Sequence, residues 1–536
     1  MTGIVPPSPV SSSNPSELPA HAHNQTEVFA VHGADPEVLA YAMAKYSRSA
    51  LSMKQSLKEI SSQRAEQFLN TFYFQYGHRS IADLAHVAFA IERLSLLAAI
   101  VLVDEQRWDG QERSTRYQNF QKSGWYLPDF GAANDTRELY TRTVEDLFNA
   151  YSKTSTAVHD ALKSRVACPV EMKPEAWERT LKARAFDVAR YLLPLATNTS
   201  LGQIVNARTL ETQVSRLLTH PAAEIRDLGA KLRDAATGPA WNLNADANSA
   251  LQNKIAALDP ELAAESELLL TREVHTAPTL VKYAQPNPYE QQTRAELTQA
   301  AAELLSGVSI AAAPIVDLVE RTETLEVELA ATLIYSASHH PYRQIRDITA
   351  ALPEGCVTEI IELGLRHRGR HDEALRAFHA GAALRFDILM DIGGFRDMHR
   401  HRRCTQIIQE FTSLHGYDTP ESGDAAGLAE AGILVEYQAQ IEAAFSASRE
   451  VAISNAPEAA QSALYLLPLA TRIRSLFKMD FAEAQYISEL RSGPAGHFSY
   501  RKVAWEMYLA LERQHPSLAK YLRVTDFTQP IDLLKR

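Results

Sequence analysis

Cysteine is scarce in this sequence, with only Cys168, Cys356 and Cys404 among 536 residues. A disulfide framework or a cysteine-based zinc site needs more cysteines at closer spacing, so both are excluded. Because so few cysteines are typical of proteins from reducing compartments, we expect a cytoplasmic protein, and we expect no bound metal ion.

Long apolar runs and an excess of positive charge are also missing. The longest apolar stretch, residues 96–103, is far shorter than the roughly 18 residues that a membrane span requires. The net charge is 54 − 65 = −11, so broad electrostatic binding to nucleic acid is not expected. We therefore predict neither a membrane nor a nucleic acid as partner, whereas a few local arginines could still hold a small anionic ligand.

The sequence does contain a strong helical pattern, in a chain long enough for two or more domains. Apolar residues make up 46% and charged residues 22% of it, as is typical of globular proteins. Apolar residues at three- and four-residue spacing predict helices, for example over 138–162, 174–193 and 428–449. Shorter β-like runs at 86–91 and 383–390 predict a small sheet in each half. The predicted fold class is α+β and helix-rich, with a small antiparallel sheet packed on long helices in each half.

An internal repeat is the clearest sign of how the chain is organised. ARYLLPLATNTS begins at Ala189 and ALYLLPLATRIR begins at Ala463, and eight of their first nine residues agree at an offset of 464 − 190 = 274. A weaker echo relates AMAKYSRS at 42–49 to ATLIYSAS at 331–338. Two unrelated leucine-rich helices are the alternative explanation. We favour a folding unit written twice, because chance agreement at this level is improbable.

Composition suggests the limits of the two units. Residues 1–24 are rich in proline and serine, lack the order of a signal peptide, and predict a disordered leader. The helical pattern is interrupted by WNLNADANSALQ and YAQPNPYEQQ. We therefore predict a first domain over 25–240, a connecting segment over 241–290 and a second domain over 291–536.

In the first half, two short stretches carry residues suited to a ligand: YGHRS at 76–80 and QERSTRYQ at 111–118. The second stretch brings Glu112, Ser114, Arg116 and Tyr117 together within six residues. In an extended or turning segment residues two apart project to one side, so Glu112, Ser114 and Arg116 are predicted to share a face. Such a face suits a phosphate-bearing pyrimidine, which can bond to an acceptor, a hydroxyl and a guanidinium. A solvated surface loop is the alternative.

In the second half, FRDMHRHRRCTQ at 395–406 concentrates cations in a chain that is acidic overall. The stretch follows a β-like run and the pair Gly393-Gly394, and it contains Arg396, His399, Arg400, His401, Arg402 and Arg403. Such a cluster indicates an anionic partner, and a dinucleotide pyrophosphate would fit. A nucleic-acid patch is the usual alternative, but the histidines and the apolar flanks argue against it.

Together these stretches resemble the flavin-dependent thymidylate synthases, whose signature runs R-H-R-x-x-S-x-N-E-x-S-x-R-Y after a Y/F-G-H-x-S/T element. The first half matches the earlier element at 76–80 and the later part of the signature at 111–117, with Gln111 in place of Asn. It also matches the family's A-R-x-x-L-P helix, its N-A-R element and its closing helix, at 189–194, 206–208 and 223–226. The Arg-His-Arg triplet is missing, because its positions hold Asp104, Glu105 and Gln106.

The second half shows the reverse pattern. Arg400, His401 and Arg402 match the triplet, with Arg396 upstream at the family's preceding arginine. QEFTSLHGY at 409–417 replaces the Ser and Arg-Tyr elements, and Leu464 replaces the helix arginine. Asn-Ala-Arg has become DFA at 480–482, whereas an arginine at 491 falls where the family has another nucleotide-binding arginine. The resemblance spans about 28–524, and neither half carries the whole signature.

The resemblance implies ligands for these positions. It implies that FAD is bound by His78, Ser80, Asn206, Arg208, Arg400, His401 and Arg402. It implies that dUMP is bound by Glu112, Ser114, Arg116, Tyr117, Arg190, Asp397 and Arg491, with Ser114, Arg116 and Arg190 as the catalytic positions. Reduced pyridine nucleotide (NADPH) and methylenetetrahydrofolate are the implied co-substrates for methylation at the pyrimidine C5.

The split signature also has an implication for assembly. Because active sites of this family lie at interfaces of a homotetramer, the resemblance implies a homodimer of tandem chains, a pseudo-tetramer with two complete sites. Asp397 stands at a substrate-side glutamine of the family, so another pyrimidine, such as a dCMP-type nucleotide, stays open. A silent paralogue that binds flavin or nucleotide is a second hypothesis, and a nucleic-acid binder is a third. The complementary losses favour an enzyme, because a silent protein would have no reason to retain both sets of residues.

Overall fold

The structure is a computed structural model that describes residues 29, 31, 33–45, 53–54, 57, 79–282, 284–369, 372–420, 428–530 and 532–534. The predicted leader at 1–24 and His78 of the YGHRS stretch lie outside these residues. In the described part, no helix is both long and apolar enough to cross a membrane.

The first half combines one small sheet with long helices. Its strands are β1 (His86–Ser95), β2 (Asp109–Glu112) and β3 (Asn198–Asn206), paired antiparallel in the order β1-β3-β2. Its helices are α1 (Pro36–Lys45), α2 (Leu96–Leu102), α3 (Asn134–Arg165), α4 (Pro174–Ala189), α5 (Ala207–Thr219) and α6 (Ala223–Thr237). Short 3₁₀ turns lie at Arg79–Leu84 and Arg190–Leu192. Two further helices follow before the second half, α7 (Ala245–Leu258) and α8 (Pro260–Leu270).

The second half repeats this plan with more helices ahead of the sheet. Its strands are β4 (Val316–Leu318), β5 (Leu384–Asp391), β6 (Thr405–Ile408) and β7 (Arg472–Met479), antiparallel in the order β4-β5-β7-β6. The helices before the central strands are α9 (Pro288–Leu304), α10 (Leu325–Ser336), α11 (Tyr342–Ala350) and α12 (Glu354–Leu365), and a 3₁₀ turn lies at Arg376–Phe378. The later helices are α13 (Ile392–Met398), α14 (Leu434–Ala452), α15 (Ala459–Leu464), α16 (Phe481–Ser492), α17 (Phe498–Gln514) and α18 (Pro516–Ala519).

These elements confirm the predicted α+β class, with a small antiparallel sheet in each half. In α3, apolar residues at three- and four-residue spacing lie on the buried face of the helix, as predicted. They include Val144, Leu147 and Tyr151. One predicted helix is wrong at its start: the pattern at 428–449 begins as a turn, and the helix begins only at Leu434. Gly432 has φ +68°, a left-handed conformation that helices do not continue through.

The two copies of the repeated segment YLLPLA, residues 191–196 and 465–470 (the LPLA segments), pair with each other between the halves. Four backbone hydrogen bonds join them, with N···O distances from 2.8 to 3.1 Å. The bonds run from Leu195 to Leu467, from Ala196 to Tyr465, from Leu469 to Leu193 and from Ala470 to Tyr191. Exchanging the halves maps the first bond onto the third, since 195 + 274 = 469 and 467 − 274 = 193. The contact is therefore isologous, about a local twofold axis between the two copies.

The same local twofold axis relates the first long strands of the two sheets. Equivalent residues at the ends of these strands differ in number by more than 274. Ser95 caps α2 by accepting from the backbone N–H of Ala98, and Asp391 caps α13 by accepting from that of Gly394. The offset here is 391 − 95 = 296. These short helices lead from the first long strand of each sheet into the segments that carry the predicted ligand residues. One hydrophobic cluster runs through both halves, including Leu147 of α3 and Ile441 of α14, and a second cluster in the second half includes Leu333 of α10.

The pairing of the halves predicts matched effects of two core truncations. Leu195 and Leu469 are both fully buried, at equivalent positions of the central contact. We expect Leu195→Ala and Leu469→Ala each to lower the free energy of unfolding by about 2–5 kcal/mol in urea titrations, because each leaves a cavity in the core. Leu258→Ala is the control, since Leu258 is 86% exposed. A cost at only one of the two buried positions would contradict the symmetric contact.

Candidate active site

The cationic segment of the second half lies against the β2 edge of the first half. Arg396 forms an ion pair with Glu112. The guanidinium of Arg402 lies over the Trp108 ring at 4.6 Å from its centroid, and its Nη1 is 3.7 Å from Oδ1 of Asp109. Both parts of the split signature therefore come together inside one chain.

Two adjoining cavities open at this junction. The larger, of about 300 Å³, is lined by Asn206, Asp109, Trp108 and Arg402, among others. A narrower cleft is lined by Glu112, Arg396, His399, Arg400, Trp108 and Arg402, together with the aliphatic Ile100 and Val103. Because Trp108 and Arg402 line both, this pair forms the wall between the two cavities.

Arg116 reaches from the first half into the second. Its Nε lies 2.8 Å from Oδ1 of Asp187, its Nη1 donates to the Tyr500 hydroxyl at 2.7 Å, and its Nη2 donates to the Ala495 carbonyl at 3.2 Å. Burial alone would lower the pKa of Arg116, but the Asp187 carboxylate raises it above its ordinary value. The guanidinium is therefore a permanent cation that ties the 113–119 loop to the second half.

The loop that carries Arg116 turns directly after Glu112, where β2 ends. The backbone N–H of Arg116 donates to the Ser114 hydroxyl at 3.2 Å, and the Tyr117 side chain is 58% exposed. Glu112 contacts Arg396, whereas Arg116 contacts Asp187 and the Tyr500 side chain of the second half.

Arg190 is the most deeply buried of the predicted substrate residues, at 2% exposure. Its Nη1 lies 3.8 Å from Oδ2 of Asp397 in the second half. Its Nε and Nη2 have no hydrogen-bond partner among the described residues. A buried guanidinium with unpaired donors is costly, so a further acceptor at this place would be stabilising.

His401 and Arg491, both predicted ligand residues, are paired with each other. Nε of Arg491 donates to Nε2 of His401 at 2.8 Å. Burial, with the nearby cations Arg491 and Arg402, lowers the pKa of His401 to about 3. His401 is therefore neutral near pH 7 and can accept this bond. The guanidinium of Arg491 also lies 5.4 Å from the ring centroid of Tyr500, which thus touches Arg116 and Arg491.

Other predicted residues lie further out or have structural partners. Arg208 forms ion pairs with Asp83 and Glu373, and Ser80 is exposed, as is Arg400, although Arg400 also lines the narrower cleft. The side-chain Oδ1 of Asn206 caps α5 by accepting from Thr209 N–H, and this side-chain amide belongs to a residue that lines the larger cavity. Cys404, which follows the last arginine of the cationic segment, is buried, and burial raises its thiol pKa to about 12, so it is no nucleophile at neutral pH.

Sequence reasoning missed Asp187, Tyr500 and Trp108. Asp187 stands three residues before Arg190, on the same face of a helix, which could have marked it as a partner for a nearby cation. Tyr500 lies at the repeat offset from Arg226, since 500 − 274 = 226, and so replaces an arginine of the family's closing helix. Trp108 carried no signal of its own.

Both halves match the sequence model of one family, described as thymidylate synthase complementing protein, at residues 29–238 and 317–517. The chain belongs to this family. A UPF0159 protein of Chlamydia muridarum is 27% identical over 534 residues, which cover 92% of this chain and 91% of the relative. A flavin-dependent thymidylate synthase of Clostridium tetani is 26% identical over 211 residues, covering 39% of this chain and 81% of its own. A crystal structure of the flavin-dependent thymidylate synthase ThyX from Helicobacter pylori, complexed with FAD and dUMP, is 17% identical and covers 38% of this chain and 89% of that one, at a TM-score of 0.26.

In this tandem member of the thymidylate synthase complementing protein family, the local twofold axis relates the junction of Arg396 and Glu112 to a second, pseudo-equivalent position. The residue types at that second position are different. At the offset of 296, Ile100 and Val101 stand in place of Arg396 and Asp397, and Ile408 stands in place of Glu112. Leu464 is the counterpart of Arg190 at the offset of 274. The cations and carboxylates of the first position are thus replaced by aliphatic residues at the second.

The loop at that second position is also shorter. Arg113 N–H donates to Ser200 O and Gln409 N–H donates to Arg474 O, so the offset is still 409 − 113 = 296. Gly124 O accepts from Asn198 N–H and Gly416 O accepts from Arg472 N–H, so the offset has become 416 − 124 = 292. The second copy is therefore 296 − 292 = 4 residues shorter in the loop that carries Ser114, Arg116 and Tyr117 in the first copy.

In the first half, two of the residues at the positions of the Arg-His-Arg triplet form ion pairs within the structure. Asp104 forms an ion pair with Arg376 of the second half, and Glu105 lies 2.8 Å from Nη2 of Arg216. Burial would raise the pKa of Asp104, but the charge of Arg376 lowers it to about 2. The positions of the missing triplet are thus occupied by two partly buried ionic contacts.

His401 provides a pH test of this site. Its folded-state pKa of about 3 lies below the ordinary value of 6.5. Between those values the unfolded chain binds more protons, so the free energy of unfolding falls as the pH drops below about 6.5. We expect His401→Gln to lose less unfolding free energy than the unsubstituted chain when urea titrations at about pH 7 and about pH 5 are compared.

His275→Gln serves as the control, because the His275 side chain is 40% exposed and its contacts, Glu273 and the Thr237 carbonyl, belong to residues that do not line the two cavities. An equal loss in the His401→Gln and unsubstituted chains would show that His401 is not held neutral by its surroundings.

Proposed function

We propose that this chain catalyses the FAD-dependent methylation of dUMP at C5, with methylenetetrahydrofolate as the carbon donor and NADPH as the hydride source. The observation that carries the proposal is the meeting of the two half-signatures, in which Arg396 pairs with Glu112, beside the contact of Arg402 with Trp108. Family membership supports the reaction class, and the Clostridium tetani relative is itself named a flavin-dependent thymidylate synthase.

The residues at the junction fit FAD. Arg402 and the Asn206 amide offer N–H donors to phosphate and carbonyl oxygens at a cavity of about 300 Å³, which is large enough for part of a dinucleotide. His78, Ser80, Arg208, Arg400 and His401 complete the proposed set, and a neutral His401 could serve the flavin without adding charge. When bound, FAD supplies the hydride transfer and the reduction of the transferred carbon.

The substrate residues have separate proposed tasks. Arg190 binds a ring oxygen of the pyrimidine through its unpaired Nε and Nη2, and so stabilises negative charge there. Arg491 holds the phosphate through the guanidinium nitrogens that His401 does not use. Arg116 is largely occupied by Asp187 and by contacts to the second half, so it mainly positions the loop that bears Ser114. Glu112 and Tyr117 flank that loop as further contacts.

Asp397 favours a second candidate substrate. Its carboxylate lies 3.8 Å from Arg190 and is an acceptor that can bind an N–H of the base. Uracil offers N3–H, whereas cytosine offers its 4-amino group, so a dCMP-type nucleotide is the alternative. Tritium release from 5-tritiated dUMP and from 5-tritiated dCMP separates the two.

We also propose that the protein works in the cytoplasm as a homodimer, a pseudo-tetramer of four family domains. The domain limits of 25–240 and 291–536, with a connecting segment between them, belong to this proposal. Helices α7 and α8 lie within that connection. Among the described residues, the pairs Arg396–Glu112 and Arg190–Asp397 meet at one position of the chain, so such a dimer would contain two complete sites.

Two neighbouring arginines allow a matched test of the function. Arg402 lines both cavities, whereas Arg403 is 68% exposed and lies 3.1 Å from Asp480. We expect purified protein to bind FAD and to release tritium from 5-tritiated dUMP when methylenetetrahydrofolate and NADPH are added. Arg402→Ala should reduce the rate by about 100-fold, as removal of a key charged donor does, and Arg403→Ala should leave it nearly unchanged.

Protein that gains no flavin absorbance on addition of FAD would refute the proposed function. Flavin binding without tritium release from either nucleotide would point to the silent paralogue instead.

A further inference from the structure

Trp108 is held rigidly in the wall between the two cavities. It is 4% exposed, and its Nε1 donates to Oε1 of Gln203 at 2.6 Å. Gln203 is itself buried and bonded to Gln213, at 3.1 Å. The indole therefore has a fixed position and orientation on the first-half sheet.

The neighbouring backbone is shaped around this indole. A Cβ on Gly110 would meet Cζ2 and Cη2 of Trp108 at 2.6 Å and the Gly202 carbonyl at 2.4 Å, so only glycine fits at 110. The ring thus fills the space that a side chain at 110 would take. Trp108 is therefore closely packed against the strand beside it and has little room to move.

The ring lies against Arg402 of the second half. The guanidinium carbon is 4.6 Å from the ring centroid, a distance at which a cation is attracted to an aromatic face. Stacking of a planar guanidinium on a fixed ring restricts the directions of its N–H groups. Its nearest carboxylate, Asp109, is 3.7 Å away and 92% exposed, too far for a hydrogen bond that would orient it.

The pair of Trp108 and Arg402 has no counterpart at the pseudo-equivalent second position. At the offset of 296 the counterparts are Gln106 for Arg402 and Cys404 for Trp108. Cys404 has a different task, because its thiol donates to the His401 carbonyl at 3.0 Å. An indole at this place is thus found in the copy that lines the larger cavity and not in the other.

We infer that Trp108 is a positioning residue for the dinucleotide: its indole fixes the plane of Arg402, so that Arg402 directs its N–H groups at an oxygen of FAD. This inference rests on the proposed function. It requires a planar cation at 402, since a lysine would keep the charge but could not stack and bond in the same fixed geometry.

A double-mutant cycle on FAD binding tests the inference, with the dissociation constant measured by flavin absorbance on the full chain. We expect Trp108→Leu to weaken binding about tenfold, Trp108→Phe to weaken it less, and Arg402→Lys to weaken it nearly as much as Arg402→Ala. In the Arg402→Ala background, Trp108→Leu should have almost no further effect, because the two residues act through one contact.

Trp241→Leu is the control for loss of a tryptophan, since Trp241 is 85% exposed. Circular dichroism of the Trp108→Phe chain excludes a folding defect as the cause of weaker binding. Equal weakening by Trp108→Leu in the presence and in the absence of Arg402 would overturn the inference, as would unchanged FAD binding in Trp108→Leu. Failure of the unsubstituted chain to bind FAD would instead refute the proposed function and the inference with it.

Discussion

The structure depends on the backbone pairing of the two LPLA segments about a local twofold axis. Leu195 and Leu469 donate to carbonyls of the opposite copy, so neither half satisfies these buried groups alone. This contact fixes how the halves face each other, and it brings α13 and the segment after it in the second half against β2 of the first. The meeting of Arg396 with Glu112 is a consequence of that geometry.

Once both halves belong to one chain, the two equivalent positions are free to diverge. One keeps the cations and carboxylates, and the other has aliphatic residues and a loop four residues shorter. The residues at the positions of the missing triplet form other contacts: Asp104 pairs with Arg376 across the halves, and Glu105 pairs with Arg216. Burying unneeded charges without partners would be costly, so replacing them with isoleucine and leucine favours stability at the second position.

The fold class and the repeat could be predicted because helical spacing and sequence identity are local signals. For the junction, the sequence could predict only which residues take part. Which residue of one half contacts which residue of the other depends on the local twofold axis, and a sequence does not show that axis. Asp187, Tyr500 and Trp108 escaped prediction because each acts through a partner distant in sequence: 71 residues separate Asp187 from Arg116, and 384 separate Arg116 from Tyr500. The start of α14 was missed because a left-handed glycine ends the preceding turn.

The central claim is that one chain builds one complete site from its own two halves. The most direct measurement is the activity of an equimolar mixture of Arg116→Ala and Arg402→Ala chains, unfolded and refolded together so that subunits exchange. Because both residues serve the same site of one chain, each chain carries one defect and the mixture should stay as inactive as either variant. Recovery of a substantial fraction of activity would show that sites form between chains, and would contradict the account.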